Sequence, residues 1–270
     1  MAKKTERPKD LKKQRWAVIV AAILAFGMIA SVVGGYLGHA LGGEGAGLPQ
    51  QQAEPEPEDY LAHYETEVEH LEEHLEEHEP SPAVLQELAE NYRYLSLIHQ
   101  LYFDDPEAVA EYQNRLISLY DDLVDMEPDN LNYRLELISL YQGQQKDEAL
   151  ILQEVSILKK QLRDDPNPSV HFSLIAVLEA GEMEELHQQE VEWLFDYLQT
   201  KIDQETADVE EQLYYTIMLG EYQDEPDIAI SLLEEIMEEE SEDTWVYREA
   251  QNYLNYLQTE DLSEEDIYFD

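Results

Sequence analysis

The sequence PDNLNYRLELISLYQG (128–143) is followed 38 residues later by PNPSVHFSLIAVLEAG (166–181), and the two stretches share one pattern. Each begins with a proline and ends with a glycine 15 positions later. A leucine, Leu140 or Leu178, stands three positions before each glycine. Because proline, glycine and apolar residues recur together at one period, the pattern indicates an internal structural repeat.

A third glycine, Gly220, continues the pattern 39 residues after Gly181, and Ile217 again stands three positions before it. We expect a helix of about 12–15 residues to end at each glycine, which suits a left-handed turn at the end of a helix. A second, longer helix then follows and ends near the next proline, because proline cannot continue a helix.

The predicted repeat unit is a pair of antiparallel helices, and each pair leaves an apolar edge against which the next pair packs. We predict an all-α fold, a helical-hairpin repeat solenoid of about four pairs over residues 81–258. A last helix, 244–257, acts as a cap at the open end. Two capping residues, each followed by a proline suited to the first helical position, mark the helix starts of the first pair: Ser81-Pro82 and Asp105-Pro106.

The repeat resembles the tetratricopeptide repeat (TPR) family. LVDMEPDN (123–130) is similar to the A-L-E-L-D-P-x-N pattern of that family's repeat end, and YQDEPDIAISLLEEI (222–236) resembles the start of its second helix. The matching residues are Pro128, Pro166, Gly143, Gly181, Gly220 and Ala229. The period of 38–39 residues departs from the family's usual length of about 34, and the first helices lack its small residue and tyrosine in register. The resemblance covers residues 81–257 and implies a scaffold that binds proteins or peptides rather than an enzyme.

An uncharged stretch of 23 residues, WAVIVAAILAFGMIASVVGGYLG (16–38), precedes the repeats. As a helix it measures roughly 34 Å, enough to cross a hydrocarbon core of about 30 Å. Residues 1–15 hold seven basic and two acidic groups, a net charge of 7 − 2 = +5, which favours a cytoplasmic N-terminus. We predict a single transmembrane helix that anchors the chain in the lipid bilayer of the plasma membrane, with the C-terminal domain extracytoplasmic. A cleaved signal peptide is the alternative.

Small residues recur every fourth position along this stretch, at Ala30, Gly34, Gly38 and Gly42. Such spacing lets two membrane helices approach closely, so self-association through Gly34, Gly38 and Gly42 is one prediction. The other interpretation is that glycine and alanine are simply common in membrane helices.

Charge is divided unevenly along the 270-residue chain. Its 16 basic and 62 acidic residues give a formal net charge of −46, and residues 39–270 alone carry 9 − 60 = −51. This balance argues against a nucleic-acid partner, which requires clustered lysine and arginine. The acidity admits three interpretations: a surface adapted to salt or alkaline surroundings, steering of a cationic partner, or weak collection of divalent cations.

Residues 39–58 read as a flexible linker rich in Gly, Gln, Pro and Glu, and 59–79 as an acidic helix. His70, His74 and His78 follow each other at four-residue intervals on that helix. Two imidazoles at this spacing can chelate Zn²⁺, Ni²⁺ or Cu²⁺, so these histidines are candidate metal ligands. The alternative is a solvated helix in which histidine lowers the density of negative charge. An acidic tail is predicted over 259–270.

No motif in the sequence indicates catalysis or a bound cofactor. The chain has no cysteine, no serine–histidine–aspartate set and no phosphate-binding loop. The sequence therefore predicts a membrane-anchored extracytoplasmic scaffold that binds proteins or peptides in the cell envelope. The alternative function is a metal- or pH-responsive envelope module that uses the His70, His74 and His78 face.

Overall fold

A computed structural model of the chain describes residues 56–144, 146, 148–223 and 225–265. The basic segment 1–15, the predicted membrane helix 16–38, its glycine row, most of the linker and the end of the tail lie outside these residues. Within them, no helix is both long and apolar enough to cross a membrane. The chain divides into two units after His63, and the packing described below concerns residues 64–265 of the second unit.

The described residues form ten α-helices, which confirms the predicted all-helical class. In chain order they are α1 (Pro57–Glu77), α2 (Pro82–Ile98), α3 (Pro106–Met126), α4 (Leu131–Gly143), α5 (Glu148–Asp164), α6 (Pro168–Ala180), α7 (Glu184–Asp203), α8 (Val209–Tyr222), α9 (Pro226–Glu239) and α10 (Trp245–Glu265). A π-helical turn, His99–Phe103, extends α2. Several bounds differ from the prediction: α1 spans Pro57–Glu77 rather than 59–79, and α10 begins at Trp245 and continues into the segment predicted as a tail.

Helices that follow each other in the chain pack in pairs: α2 with α3, α4 with α5, α6 with α7, and α8 with α9. The first helices of successive pairs also contact each other, since α4 packs on α6, α6 on α8, and α8 on α10. This order of contacts is compatible with a helical-repeat solenoid, in which each pair touches only its neighbours.

Two predicted helix starts are confirmed. The Ser81 hydroxyl accepts a hydrogen bond from the Val84 backbone N–H at 3.4 Å, and the Asp105 carboxylate accepts one from Ala108 at 3.1 Å. Proline follows each cap as the first helical residue. These bonds satisfy backbone donors that have no partner inside the helix.

The three repeated glycines do not form the left-handed turns that the sequence suggested. Gly181 has φ −80°, and the left-handed residue is its neighbour Glu182, with φ 56°. Gly220 lies inside α8. A Cβ at Gly181 would overlap the side-chain amide of Gln142 on α4, and one at Gly220 would overlap the Tyr253 hydroxyl on α10. Both glycines therefore lie where the first helices of neighbouring pairs approach each other closely.

Candidate functional site

A cavity of about 370 Å³ opens between α7, α8 and α9, in the last two helical pairs. Its apolar wall consists of Ile202 from α7 and of Leu232 and Ile236 from α9. Its acidic rim consists of Glu205, Glu235 and Glu239. The remaining lining residues are Ala207, Gln212, Tyr215 and Thr216.

The turn between α7 and α8 fixes one edge of this cavity. Glu205 has a left-handed backbone with φ 55°, and the backbone N–H of Thr206 donates to the Lys201 carbonyl at 2.9 Å. The next helix, α8, starts with a capping box. In it the Asp208 carboxylate accepts from the Glu211 backbone N–H at 2.9 Å, and the Glu211 carboxylate accepts from the Asp208 N–H at 3.1 Å. Both ends of the turn are therefore held by hydrogen bonds.

The neutral polar groups of the cavity already have partners. The Tyr215 hydroxyl donates to the Gln199 side chain at 2.6 Å, and the Thr216 hydroxyl donates to the Gln212 carbonyl at 2.8 Å. The Gln212 amide donates to the Ala207 carbonyl at 3.2 Å. In contrast, the three rim carboxylates form no ion pair with any described residue, and the lining contains no lysine or arginine.

A second group of charges lies between α5, α6 and α7, and we call it the Glu190 cluster: Glu190, Lys159, Arg163 and His171. The Glu190 carboxylate, which is 0% exposed, lies 2.7 Å from the Lys159 ammonium and 2.6 Å from the Arg163 guanidinium. The His171 Nε2 atom lies 2.9 Å from the same carboxylate. Burial acts to raise the pKa of Glu190, but hydrogen bonds from His171, Lys159 and Arg163 outweigh it and lower that pKa to about 2.

Aromatic rings connect this cluster to the cavity along α7. The Arg163 guanidinium lies 3.8 Å from the centre of the Trp193 ring, and Trp193 stacks on Tyr197 at 5.4 Å. The Lys201 ammonium lies 5.7 Å from the Tyr197 ring and 2.6 Å from the Glu211 carboxylate of α8. These contacts fix α7 against both neighbouring pairs, and Ile202 of the cavity follows directly on that helix.

Sequence reasoning missed the Glu190 cluster. The available signal was the position of Glu190, four residues before Leu194 and eight before Leu198, inside the apolar stripe of α7. An acidic residue in such a stripe is rarely buried unless it is paired. Its partners come from two other helices, so their identity could not be read from local spacing.

Ion pairs involve six of the described basic residues, and most of these pairs join different helices. Their cations are Arg93, Arg115, Arg134, Lys159, Arg163 and Lys201. Arg93, for example, reaches Glu136 on α4 at 2.9 Å from its own place on α2. Most of the described lysine and arginine side chains are therefore engaged in ion pairs within the domain.

The structure places the predicted metal ligands at the end of α1. The rings of His74 and His78 stack with their centres 4.3 Å apart, and His78 Nδ1 lies 3.1 Å from the His74 carbonyl. His70 is exposed, one turn before His74. Across the described residues, no group of three or more His, Asp or Glu side chains is arranged to hold a metal ion. The metal site therefore stays a prediction.

The metal hypothesis predicts one saturable Zn²⁺ site that depends on these histidines. We expect calorimetry of the full chain with ZnCl₂ to lose the binding heat in the triple variant His70→Ala/His74→Ala/His78→Ala. His63→Ala, on the same helix, is the matched control and should leave the heat unchanged. Equal heats in all three proteins would contradict the hypothesis.

His171 is expected to make the domain less stable as the pH falls below neutral. Burial lowers the pKa of His171, and this outweighs the opposing effect of Glu190. The unfolded chain then binds a proton more readily than the folded one, so stability falls as pH drops below about 6.5. Between pH 7 and 5.5, the wild type should lose up to about 1.4 kcal/mol per pH unit more than His171→Phe, as measured by urea unfolding. Parallel pH profiles for the two proteins would refute this role.

No protein-family model matches the sequence, and no curated protein is significantly similar to it. The TPR resemblance consequently rests on the repeated prolines and glycines and on Ala229 in the sequence.

Proposed function

We propose that this protein is a membrane-anchored extracytoplasmic scaffold that binds a protein or peptide through a TPR-like α-solenoid. The observation that carries the proposal is the open cavity between α7, α8 and α9, where apolar side chains lie beneath carboxylates that have no cationic partner among the described residues. Recognition sites of this kind combine an apolar surface with a few placed polar groups. The stacking of first helices and the period of 38–39 residues support the repeat assignment.

The membrane part of the proposal rests on the order of charges in the sequence. A net charge of +5 precedes the uncharged residues 16–38, and a net charge of −51 follows them. Basic residues that flank a membrane helix are retained on the cytoplasmic side, so the acidic domain is placed outside.

The absence of cysteine makes this topology directly testable. Single cysteines are introduced as Thr5→Cys in the basic segment and Gln251→Cys on the exposed side of α10. A membrane-impermeant maleimide should label the Gln251→Cys variant in intact cells and the Thr5→Cys variant only after permeabilisation. The opposite labelling would overturn the proposed orientation, and release of a shortened chain from the membrane would overturn the anchor.

Partner binding is tested by proximity labelling from the C-terminus of the full chain in its native membrane. The matched control keeps residues 1–80 and replaces 81–258 with an unrelated folded domain of similar net charge. The proposal requires at least one protein that is labelled by the full chain and not by the control. Identical sets of labelled proteins would show that the helical domain recruits nothing.

A metal- or pH-responsive envelope module is the second candidate function. The stacked rings of His74 and His78 favour it, because the two imidazoles are already adjacent. The zinc titration with the triple histidine variant separates this function from the scaffold.

A further inference from the structure

We infer that the cavity between α7, α8 and α9 binds a lysine or arginine side chain of the partner segment. The inference rests on the proposed scaffold function and names the chemistry by which its partner is recognised. It requires three properties of the cavity, namely sufficient size, an apolar wall and an uncompensated negative rim.

The size of the cavity admits a long side chain together with part of its backbone. Its volume of about 370 Å³ falls in the range of about 300–1,000 Å³ that is usual for small-ligand sites. The opening lies between helices of two pairs, so a segment crossing the domain surface can insert a side chain without separating the pairs.

The apolar wall fits the aliphatic part of such a side chain. Ile236 is buried, and Ile202 and Leu232 are half-buried around the opening. Lysine and arginine carry three or four methylene groups that pack on apolar surface while the charged end stays at the polar edge. A short acidic or amide side chain has no comparable stem for this wall.

The acidic rim selects the sign of the charge. Glu235 and Glu239 are one turn apart on α9, and Glu205 lies in the turn after α7. Because the hydroxyl and amide donors of the cavity are already engaged, carboxylate oxygens are its main remaining hydrogen-bonding groups. An anionic group placed here would meet three carboxylates, whereas an ammonium or guanidinium group gains charge-assisted hydrogen bonds.

Close to the cavity, the domain holds one of its own lysines between an aromatic ring and a carboxylate. Lys201 rests beside the Tyr197 ring, and its ammonium contacts the Glu211 carboxylate at 2.6 Å. Glu211 and Tyr197 are thereby occupied by an internal cation. The cavity likewise places carboxylates next to an apolar surface. No lysine or arginine among the described residues lines it.

The test compares three probes that share one apolar tail: pentylammonium, 1-pentanol and pentanoate. Methyl NMR of the full chain in detergent follows the Ile202, Leu232 and Ile236 signals during each titration. We expect saturable shifts with pentylammonium, with a dissociation constant on the order of millimolar, since a ligand of so few atoms gains little affinity. Pentanol should bind more weakly and pentanoate should leave the three residues unshifted.

Matched variants separate the cavity from general attraction to an acidic surface. Glu235→Gln/Glu239→Gln removes two rim charges, and Glu234→Gln/Glu238→Gln removes two exposed charges from other faces of the same helix. The rim variant should weaken pentylammonium binding roughly tenfold and the control less than twofold. Equal losses in the two variants, or equal binding of the three probes, would overturn the inference.

The same variants keep this inference distinct from the scaffold function. If the rim variant loses pentylammonium binding and also loses the labelled partner, the cavity is the recognition point. If pentylammonium does not bind while a partner still depends on residues 81–258, the cavity inference is wrong and the scaffold stands. If pentylammonium binds but no partner depends on the domain, the scaffold function is wrong and the cation site stands.

Discussion

Replacing Glu190 with alanine is expected to lower the free energy of unfolding by about 3 kcal/mol. Removing one member of a buried ion pair typically costs about 3–5 kcal/mol, because the remaining charge is left without compensation. We expect the lower end of that range because Lys159 and Arg163 are 22% and 29% exposed and regain part of their hydration. His171, which is 0% exposed, loses the carboxylate 2.9 Å from its Nε2 atom at the same time.

Urea unfolding of the full chain, followed by the helical circular dichroism signal, measures this effect. Glu192→Ala is the matched control, since Glu192 is exposed on the same helix and should change the stability by no more than about 0.5 kcal/mol. Glu190→Gln keeps the size of the side chain and should fall between the two. Equal stabilities for Glu190→Ala and Glu192→Ala would show that the Glu190 cluster does not hold α7 in place.

Gly220→Ala is expected to destabilise the domain by about 1–3 kcal/mol, although alanine favours a helix. The usual gain for replacing glycine with alanine inside a helix is about 1 kcal/mol. Here the new methyl group would overlap the Tyr253 hydroxyl and lie 3.3 Å from its Cζ atom, and an overpacked contact typically costs about 1–3 kcal/mol. The aromatic ring is stiff, so relief of the overlap also breaks the 3.0 Å hydrogen bond from Tyr253 to Glu221, and this loss of about 1 kcal/mol offsets the gain in helix propensity.

A double-mutant cycle with Tyr253→Phe isolates this contact, because removing the hydroxyl removes the atom that the methyl group overlaps. In the Tyr253→Phe background, Gly220→Ala should become neutral or stabilising. Gly143→Ala is a second control, since no atom lies within 4 Å of the added methyl group there. If Gly220→Ala destabilises the Tyr253→Phe protein as much as the wild type, the contact with the Tyr253 hydroxyl is not the cause of the loss.

The sequence predicts the helices of this domain better than their contacts. Prolines, capping residues and the 38–39-residue period identify the helix pairs because these signals act within a few residues. The role of Gly181 and Gly220 was predicted wrongly, since a repeated glycine can indicate either a left-handed turn or a close approach. Only the position of Gln142 and Tyr253 on other helices decides between them.

The candidate site was largely hidden from the sequence. Glutamates occur throughout the chain, so nothing local separates Glu235 and Glu239 from Glu234 and Glu238. The cavity is lined by residues of α7, α8 and α9 that are far apart in the sequence, so it depends on packing between helical pairs. Similarly, Glu190 is buried because Lys159 and Arg163 of α5 pair with its carboxylate, and this contact between helices is not visible in the local sequence.

The scarcity of lysine and arginine, and their use in ion pairs, has a consequence for proteolysis. Proteases of trypsin specificity cut after these two residues, and none occurs between Arg15 and Arg93. Such enzymes therefore have no cleavage site in the stretch that joins the proposed anchor to the helical domain. Within the domain, six of the cutting positions carry side chains that are already bound to carboxylates in folded helices. The same distribution of charge that holds the helices together thus protects the helical domain from being cut away from the proposed anchor by proteases of this specificity.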